Sequence, residues 1–288
     1  MMQKEKIGTG RMAATVIVAI AVLIVEQTLA LLAGNLPVMI GIPAAAGNVI
    51  AGILYPILVY MGIKLWVSRF FKQDMRVYKM EKGKPKLVWC CAAAVMPCAV
   101  VVLLACFAAG QWETTPMGAE EVWGIVTGGV FYLGIGAGFA EEMVFRGLIM
   151  SALEYRWNRG IAIAIPSVLF AAMHLLGNPM DAASFVQLMV AGSVVGILFS
   201  LVTYESGSVW SSAVMHAVWN MVIVGGVLHI GHAADTGAMY NYVLQTDSFL
   251  LTGGDFGIEA SVVSILVYGG FIALAAARLS RQKKRANL

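Results

Sequence analysis

Residues 122–153 read VWGIVTGGVFYLGIGAGFAEEMVFRGLIMSAL, an apolar run long enough to cross a lipid bilayer. Only Glu141, Glu142 and Arg146 carry charge within it. Charged side chains are costly in a membrane, and where they occur they are functional by default. This stretch therefore predicts a membrane-spanning helix that carries part of a functional site.

The rest of the chain is similarly apolar. Of its 288 residues 60% are hydrophobic and only 12% are charged, which indicates a polytopic membrane protein rather than a soluble domain. The apolar runs predict an all-α fold, a membrane helical bundle of about eight transmembrane helices. The predicted spans are 12–33, 47–68, 88–109, 122–153, 160–176, 183–203, 208–229 and 259–279.

Loop charges predict how the bundle is oriented. Lysine and arginine resist translocation, so loops rich in them stay in the cytoplasm. With eight spans and both termini cytoplasmic, all 19 basic residues except Arg146 lie in or beside cytoplasmic segments. These basic residues are Lys4, Lys6, Arg11, Lys64, Arg69, Lys72, Arg76, Lys79, Lys82, Lys84, Lys86, Arg156, Arg159, Arg278, Arg281, Lys283, Lys284 and Arg285. They form no stripe typical of nucleic-acid binding, so the lipid bilayer is the predicted partner and nucleic acid is not.

Three predicted spans bring polar groups to a similar depth. Glu141 lies in span four, His174 in span five, and His216 with Asn220 in span seven. Such groups need a shared, water-accessible cavity, which we expect to open toward the cytoplasm. A lone histidine in a span often only bonds a backbone carbonyl, but the combination with the glutamates favours chemistry.

Helix geometry separates the two glutamates. Glu142 and Arg146 have the i, i+4 spacing of a helical ion pair, with the acid on the favourable N-terminal side. Glu141 is rotated by about 100° from that pair. We therefore predict Glu141 as a general base that activates water, while Glu142 and Arg146 position the site.

The motifs EExxxR (Glu141, Glu142, Arg146), FxxxH (Phe170, His174) and HxxxN (His216, Asn220) resemble those of the CPBP family, the Abi or type II CAAX prenyl protease-like intramembrane proteases. The segment 206–212, SGSVWSS, also resembles that family. The resemblance implies that the first glutamate activates water with His174, and that His216 and Asn220 stabilise the oxyanion. It further implies that Phe170 contacts substrate and that the chain resides in a cell membrane, the bacterial cytoplasmic membrane.

The resemblance divides the chain into 1–119, with three helices and a basic cytoplasmic loop; 120–230, the catalytic core; and 231–288, with an extracytoplasmic loop, the last span and a basic tail. The expected function is endopeptidase cleavage of a membrane-embedded or lipidated peptide or protein. The alternatives are a non-proteolytic bacteriocin self-immunity or regulatory binding protein, and a proton-coupled transporter, against which the lack of repeats counts.

Metal use stays open at this point. Glu141, His174 and His216 could supply three ligands for Zn²⁺ with an open coordination position. No H-E-x-x-H spacing is present, however, so no single helical turn offers a zinc-binding pair of histidines. We therefore favour a reaction that requires no cofactor, with Zn²⁺ as the alternative.

Overall fold

The computed structural model describes residues 8–81 and 83–286 and consists mainly of helices packed side by side. Lys4, Lys6 and Lys82, which contribute to the predicted basic segments, lie outside the described residues. The helices are α1 (Thr9–Met39), α2 (Ala44–Phe71), α3 (Leu87–Phe107), α4 (Ala119–Arg156), α5 (Arg159–Met173), α6 (Ala182–Ser206), α7 (Val209–Val224) and α8 (Val262–Ala286). Shorter turns of helix cover Met75–Tyr78, Phe249–Thr252, Gly254–Phe256 and Ile258–Ala260.

Each of the eight predicted spans corresponds to one of these helices. Six of them are long and apolar enough to cross a membrane, whereas α5 and α7 are shorter apolar helices. Large apolar side chains such as Ile17, Leu36, Met61 and Leu266 are exposed on the outside of the bundle, as expected for a surface in contact with lipid. The coordinates support a multi-pass helical protein, and the count of eight spans stays a prediction.

The chain is mostly helical, as predicted, but it also contains a small sheet that the all-α prediction did not include. A small sheet in the order β1-β3-β2 forms from strands β1 (Gly110–Thr114), β2 (Leu228–Gly231) and β3 (Tyr240–Leu244). β3 is antiparallel to β1 and parallel to β2. These strands lie in the connections after α3 and α7, and the first two residues of β2 fall within the predicted span 208–229.

Polar residues between the helices determine where α5, α6 and α7 begin and end. The side chain of Asn158 accepts a hydrogen bond from the backbone N–H of Ile161 and caps α5. Asp181 accepts similarly from Ser184 at the start of α6, and Ser208 accepts from Trp210 at the start of α7. Gly207, with φ of 77°, ends α6 in the left-handed conformation that glycine adopts readily. The tight turn between α6 and α7 follows from this Gly-Ser pair.

Buried side chains form two apolar clusters. The first includes Tyr55, Phe145 and Phe170 and joins α1, α2, α4 and α5. The second includes Phe199 and Trp219 and joins α3, α6, α7 and α8 with the sheet. The residues of the three motifs lie where the two clusters meet.

Candidate active site

An ion pair between Glu142 and Arg146 lies at the base of the site. Arg146 Nη1 is 2.8 Å from Glu142 Oε1, and both side chains are fully buried. Arg146 also donates to the backbone oxygen of Gly196 at 3.2 Å and places its guanidinium carbon 4.6 Å from the ring centre of Phe170. This contact confirms the pairing predicted from the i, i+4 spacing. It also ties α4 to α5 and α6.

Glu142 also contacts His216 on α7. The Nδ1 atom of His216 lies 3.3 Å from Glu142 Oε1, and its ring stacks on Phe199 with 5.1 Å between ring centres. A carboxylate oxygen can only accept, so Nδ1 carries the proton in this hydrogen bond. The Nε2 atom is thereby turned to the other glutamate, and lies 3.9 Å from Glu141 Oε2.

Glu141 differs from its neighbour in its surroundings. Its side chain is 20% exposed, whereas that of Glu142 is fully buried. In the described part of the chain its carboxylate has no hydrogen-bond partner, and His216 is the cationic or potentially cationic group recorded near it. Glu141 is thus the more accessible carboxylate of the two, and the ion pair with Arg146 belongs to Glu142, as the helix geometry predicts.

His174 follows the last residue of α5 and points to the same cavity. Its Nδ1 donates to the backbone oxygen of Phe170 at 2.8 Å, so the neutral ring presents Nε2 as a hydrogen-bond acceptor. The recorded contact to Glu141 comes from His216 and not from His174, which the resemblance pairs with that glutamate. Phe170 packs against His174 and His216, with ring centres 4.8 Å and 5.6 Å away.

Asn220 begins the last part of α7 and also lines the cavity. Its side-chain Nδ2 donates to the backbone oxygen of Leu133 on α4 at 2.9 Å. Because an amide nitrogen carries two protons, one N–H is used in this bond and a second is left for another acceptor.

Irregular helix geometry surrounds these residues. The helical turns widen to π-helix over Gly128–Ala137 and Met143–Ile149, on either side of the two glutamates, and again over Asn220–Val224. Such segments are frequent at functional sites. Gly138 allows α7 to approach closely, because a Cβ atom there would lie 2.8 Å from the backbone nitrogen of Ala217. The glycine brings the first and third motifs into contact.

The candidate residues line a cavity of about 590 Å³. Its remaining lining is mainly apolar and aromatic, with Tyr55, Tyr132 and Tyr268 among the polar groups. Leu176 and Asn178, in the loop after α5, are exposed lining residues of the cavity, and the lining residues of α7 extend from its middle, at His216, to its end, at Val224. The cavity therefore opens at the end of the bundle opposite the basic loops. This placement of the lining residues differs from the predicted opening toward the basic end, and which end is cytoplasmic stays a prediction.

The arrangement does not match the donor set considered for zinc. Within residues 8–81 and 83–286, no three histidine, cysteine, aspartate or glutamate side chains are grouped closely enough to hold a metal ion. Glu141 and His216 are neighbours, but the contacts of His174 are to Phe170 and Phe256 and not to either of those two side chains. The residues as arranged do not fit a three-ligand metal site.

One acidic residue of the cavity was missed by sequence reasoning. Glu259 lines the same cavity and accepts a hydrogen bond at 2.8 Å from Trp219, which lies within the HxxxN motif. In the sequence Glu259 stands at the first position of the last predicted span, where a charge is ordinarily a boundary residue. Its position in a turn that folds back over the site gives no local sequence signal.

A comparison with known protein families finds a match in the segment that carries the three motifs. Residues 122–222 match the family described as type II CAAX prenyl endopeptidase Rce1-like, and all three motifs lie within that segment. The match confirms the resemblance to the CPBP family, which is a protease family, and supports a hydrolase of the CAAX-protease type. A comparison with curated proteins gave no match.

Proposed function

We propose that this chain is an intramembrane endopeptidase that hydrolyses a peptide bond of a membrane-associated or lipidated protein. The observation that carries this proposal is the convergence of Glu141, His174 and His216, from three different helices, on one cavity. Glu141 is the base because its carboxylate is accessible, whereas that of Glu142 is bonded to Arg146.

In the proposed reaction Glu141 takes a proton from water as the water oxygen forms a bond to the substrate carbonyl carbon. The acceptor Nε2 of His174 holds the second proton of that water. The carbonyl π electrons move to the oxygen, which becomes an oxyanion. When the C–N bond breaks, the proton on Glu141 passes to the leaving amine, and the products are a carboxylic acid and an amine.

His216 and Asn220 are the proposed donors to the oxyanion. Because Nδ1–H of His216 is used in the bond to Glu142, this role requires a ring that also carries a proton on Nε2. The protonated ring presents Nε2–H toward the cavity, and Asn220 presents its second amide N–H. Donors fixed in advance around a developing charge are a major source of rate acceleration.

The proposal includes no metal ion. The three donors that Zn²⁺ would require do not form a set in the described residues, and the steps above use protein groups and water alone. With the basic loops in the cytoplasm and eight spans, the cavity is reached from the outer half of the bilayer. The proposed substrate is therefore a membrane protein or lipidated peptide that exposes its cleavage site there.

Comparative proteomics of membrane peptides tests the proposal and identifies substrates. Cells with the wild-type protein are compared with cells that carry Glu141→Gln, and an identified substrate is then cleaved by purified protein in nanodiscs. We expect Glu141→Gln to reduce cleavage by about 10²–10⁴-fold, because a general base contributes about that much.

Glu26→Gln is the matched control for this experiment. Glu26 is a carboxylate within α1 that does not line the cavity, so its replacement removes an intramembrane charge and leaves the reaction intact. Cleavage at the wild-type rate by folded Glu141→Gln contradicts the proposed mechanism.

A further inference from the structure

Glu259 lies outside the segment that matches the protease family, yet it reaches the cavity. It belongs to the turn Ile258–Ala260 immediately before α8. Tyr268 donates to its backbone oxygen at 3.2 Å, and Gln187 on α6 donates to the oxygen of Ala260 at 2.7 Å. Ser264 adds a bond of 2.6 Å to the oxygen of Ile258. The turn is held on both sides, so Glu259 occupies a fixed position.

The two carboxylate oxygens of Glu259 have different surroundings. Oε2 accepts the hydrogen bond from Trp219 Nε1, whereas Oε1 has no hydrogen-bond partner among residues 8–81 and 83–286. The residue is half-buried and belongs to the lining of the cavity shared with His174 and His216. Neighbouring Phe256 packs edge-on against His174, with 5.8 Å between ring centres. One oxygen is thus anchored and the other is available to a ligand.

Among the described residues, the fixed charges that line the cavity are acidic, and the groups there that can become cationic are His174 and His216. Glu141 and Glu259 contribute carboxylates, and no lysine or arginine from the described residues lines the cavity, since Arg146 is enclosed beneath Glu142. In such a weakly screened, apolar setting a carboxylate without a counterion favours a cationic ligand and disfavours an anionic one. A substrate group with a free carboxylate would find no lysine or arginine partner among the described residues that line the cavity.

We propose that Glu259 is a specificity-determining residue that binds a basic side chain of the substrate close to the cleaved bond. This inference rests on the proposed function, because it assigns the substrate class of the same cavity. Glu141 is then left to activate water while Glu259 holds the ammonium or guanidinium group through Oε1.

Binding of synthetic peptides tests this inference without requiring turnover. Hydrophobic peptides that differ only in one central lysine, glutamine or glutamate are titrated against the full chain in nanodiscs, in a Glu141→Gln background that leaves Glu259 as the free carboxylate of the cavity. We expect the lysine peptide to bind about tenfold more tightly than the glutamine peptide, as one charge-assisted hydrogen bond provides. The glutamate peptide should bind most weakly.

Two further variants separate charge from structure. Glu259→Gln retains an oxygen that can accept from Trp219 but removes the charge, so it should abolish the lysine preference. Asp255→Asn removes a nearby exposed charge that does not line the cavity and should leave the preference unchanged. A preference that survives in Glu259→Gln overturns the inference. If that variant does not fold, the background protein is still decisive, because equal binding of the three peptides, or no binding, also overturns it.

The outcomes distinguish this inference from the proposed function. A Glu259-dependent lysine preference in a protein whose parent cleaves nothing supports the binding role and contradicts the protease. Cleavage by the wild-type protein, combined with no preference for charge in the peptides, supports the protease and contradicts the role of Glu259.

Discussion

Acidic side chains have different partners at the two ends of the bundle. At the end with the basic loops, Glu205 is buried and fully partnered. It accepts from Trp89 at 2.7 Å and Gln282 at 2.9 Å, and it forms ion pairs with Arg278 at 3.0 Å and Lys86 at 3.3 Å. These contacts join α3, α6 and α8. The acid therefore fastens three helices, and its charge is neutralised.

At the opposite end, the acids of the cavity lack such compensation. Glu141 forms no hydrogen bond within residues 8–81 and 83–286 and lies 3.9 Å from His216, and Glu259 accepts from the neutral indole of Trp219. A carboxylate without a close basic partner in an apolar setting is a cost to folding, so such positions are candidates for function. The comparison teaches that full pairing marks a structural acid in this protein, and a missing partner marks a candidate for chemistry.

The ion pair of Arg146 and Glu142 shares a feature with each end, because it is fully paired and it lies beside the cavity residue His216. Replacement of Arg146 should produce the largest effect on folding. Arg146→Met leaves Glu142 buried without its counterion, which costs about 3–5 kcal/mol of stability. We expect little folded protein in detergent, measured by thermal unfolding and size-exclusion chromatography.

The double variant Glu142→Gln with Arg146→Met is the control for this change. It removes both charges of the buried pair, so it should recover much of the lost stability. It should not recover cleavage, because Glu142 also orients His216. A single variant as stable as the wild-type protein would show that the pair is dispensable and that the contrast between the two ends is overstated.

Much of the site was predictable because its signals are local. The spacing of Glu142 and Arg146 predicted their ion pair, and the apolar runs predicted all eight helices. The small sheet was not predictable in the same way, since β1 pairs with a strand more than a hundred residues later, Gly110 with Leu244. The side on which the cavity opens depends on how α4, α5 and α7 pack, which loop charges do not encode.

Glu259 illustrates the same limit within the site. It joins the cavity through a turn fixed by Gln187 and Tyr268, which are distant in sequence or lie on the next helix. A boundary glutamate in a last span has the same local pattern whether it faces solvent or a catalytic cavity. Only tertiary packing separates the two.

The next prediction compares an asparagine that lines the cavity, Asn220, with one that does not. Asn220→Ala should reduce kcat by about 10²–10³-fold, the usual effect of losing one oxyanion donor. Asn48→Ala is a matched control, since Asn48 also donates to a backbone oxygen of α4, that of Gly124 at 2.9 Å, but does not line the cavity. The control should lose only stability. Equal losses of kcat in both variants would indicate that Asn220 only links two helices and does not donate to the oxyanion.

A smaller effect is expected from Glu205→Gln, at the end of the bundle with the basic loops. Glutamine still accepts from Trp89 but no longer neutralises Arg278 and Lys86, so stability should fall by about 1–3 kcal/mol. Cleavage per folded molecule should not change, because the contacts of Glu205 lie away from the cavity. Glu81→Gln provides the baseline: its ion pair with Arg76 is exposed, and its loss should shift stability by less than about 1 kcal/mol. If Glu205→Gln instead lowers kcat while the melting temperature stays constant, the end with the basic loops is coupled to the cavity. The contrast between Glu205 as a structural acid and the cavity acids as candidates for chemistry would then be wrong.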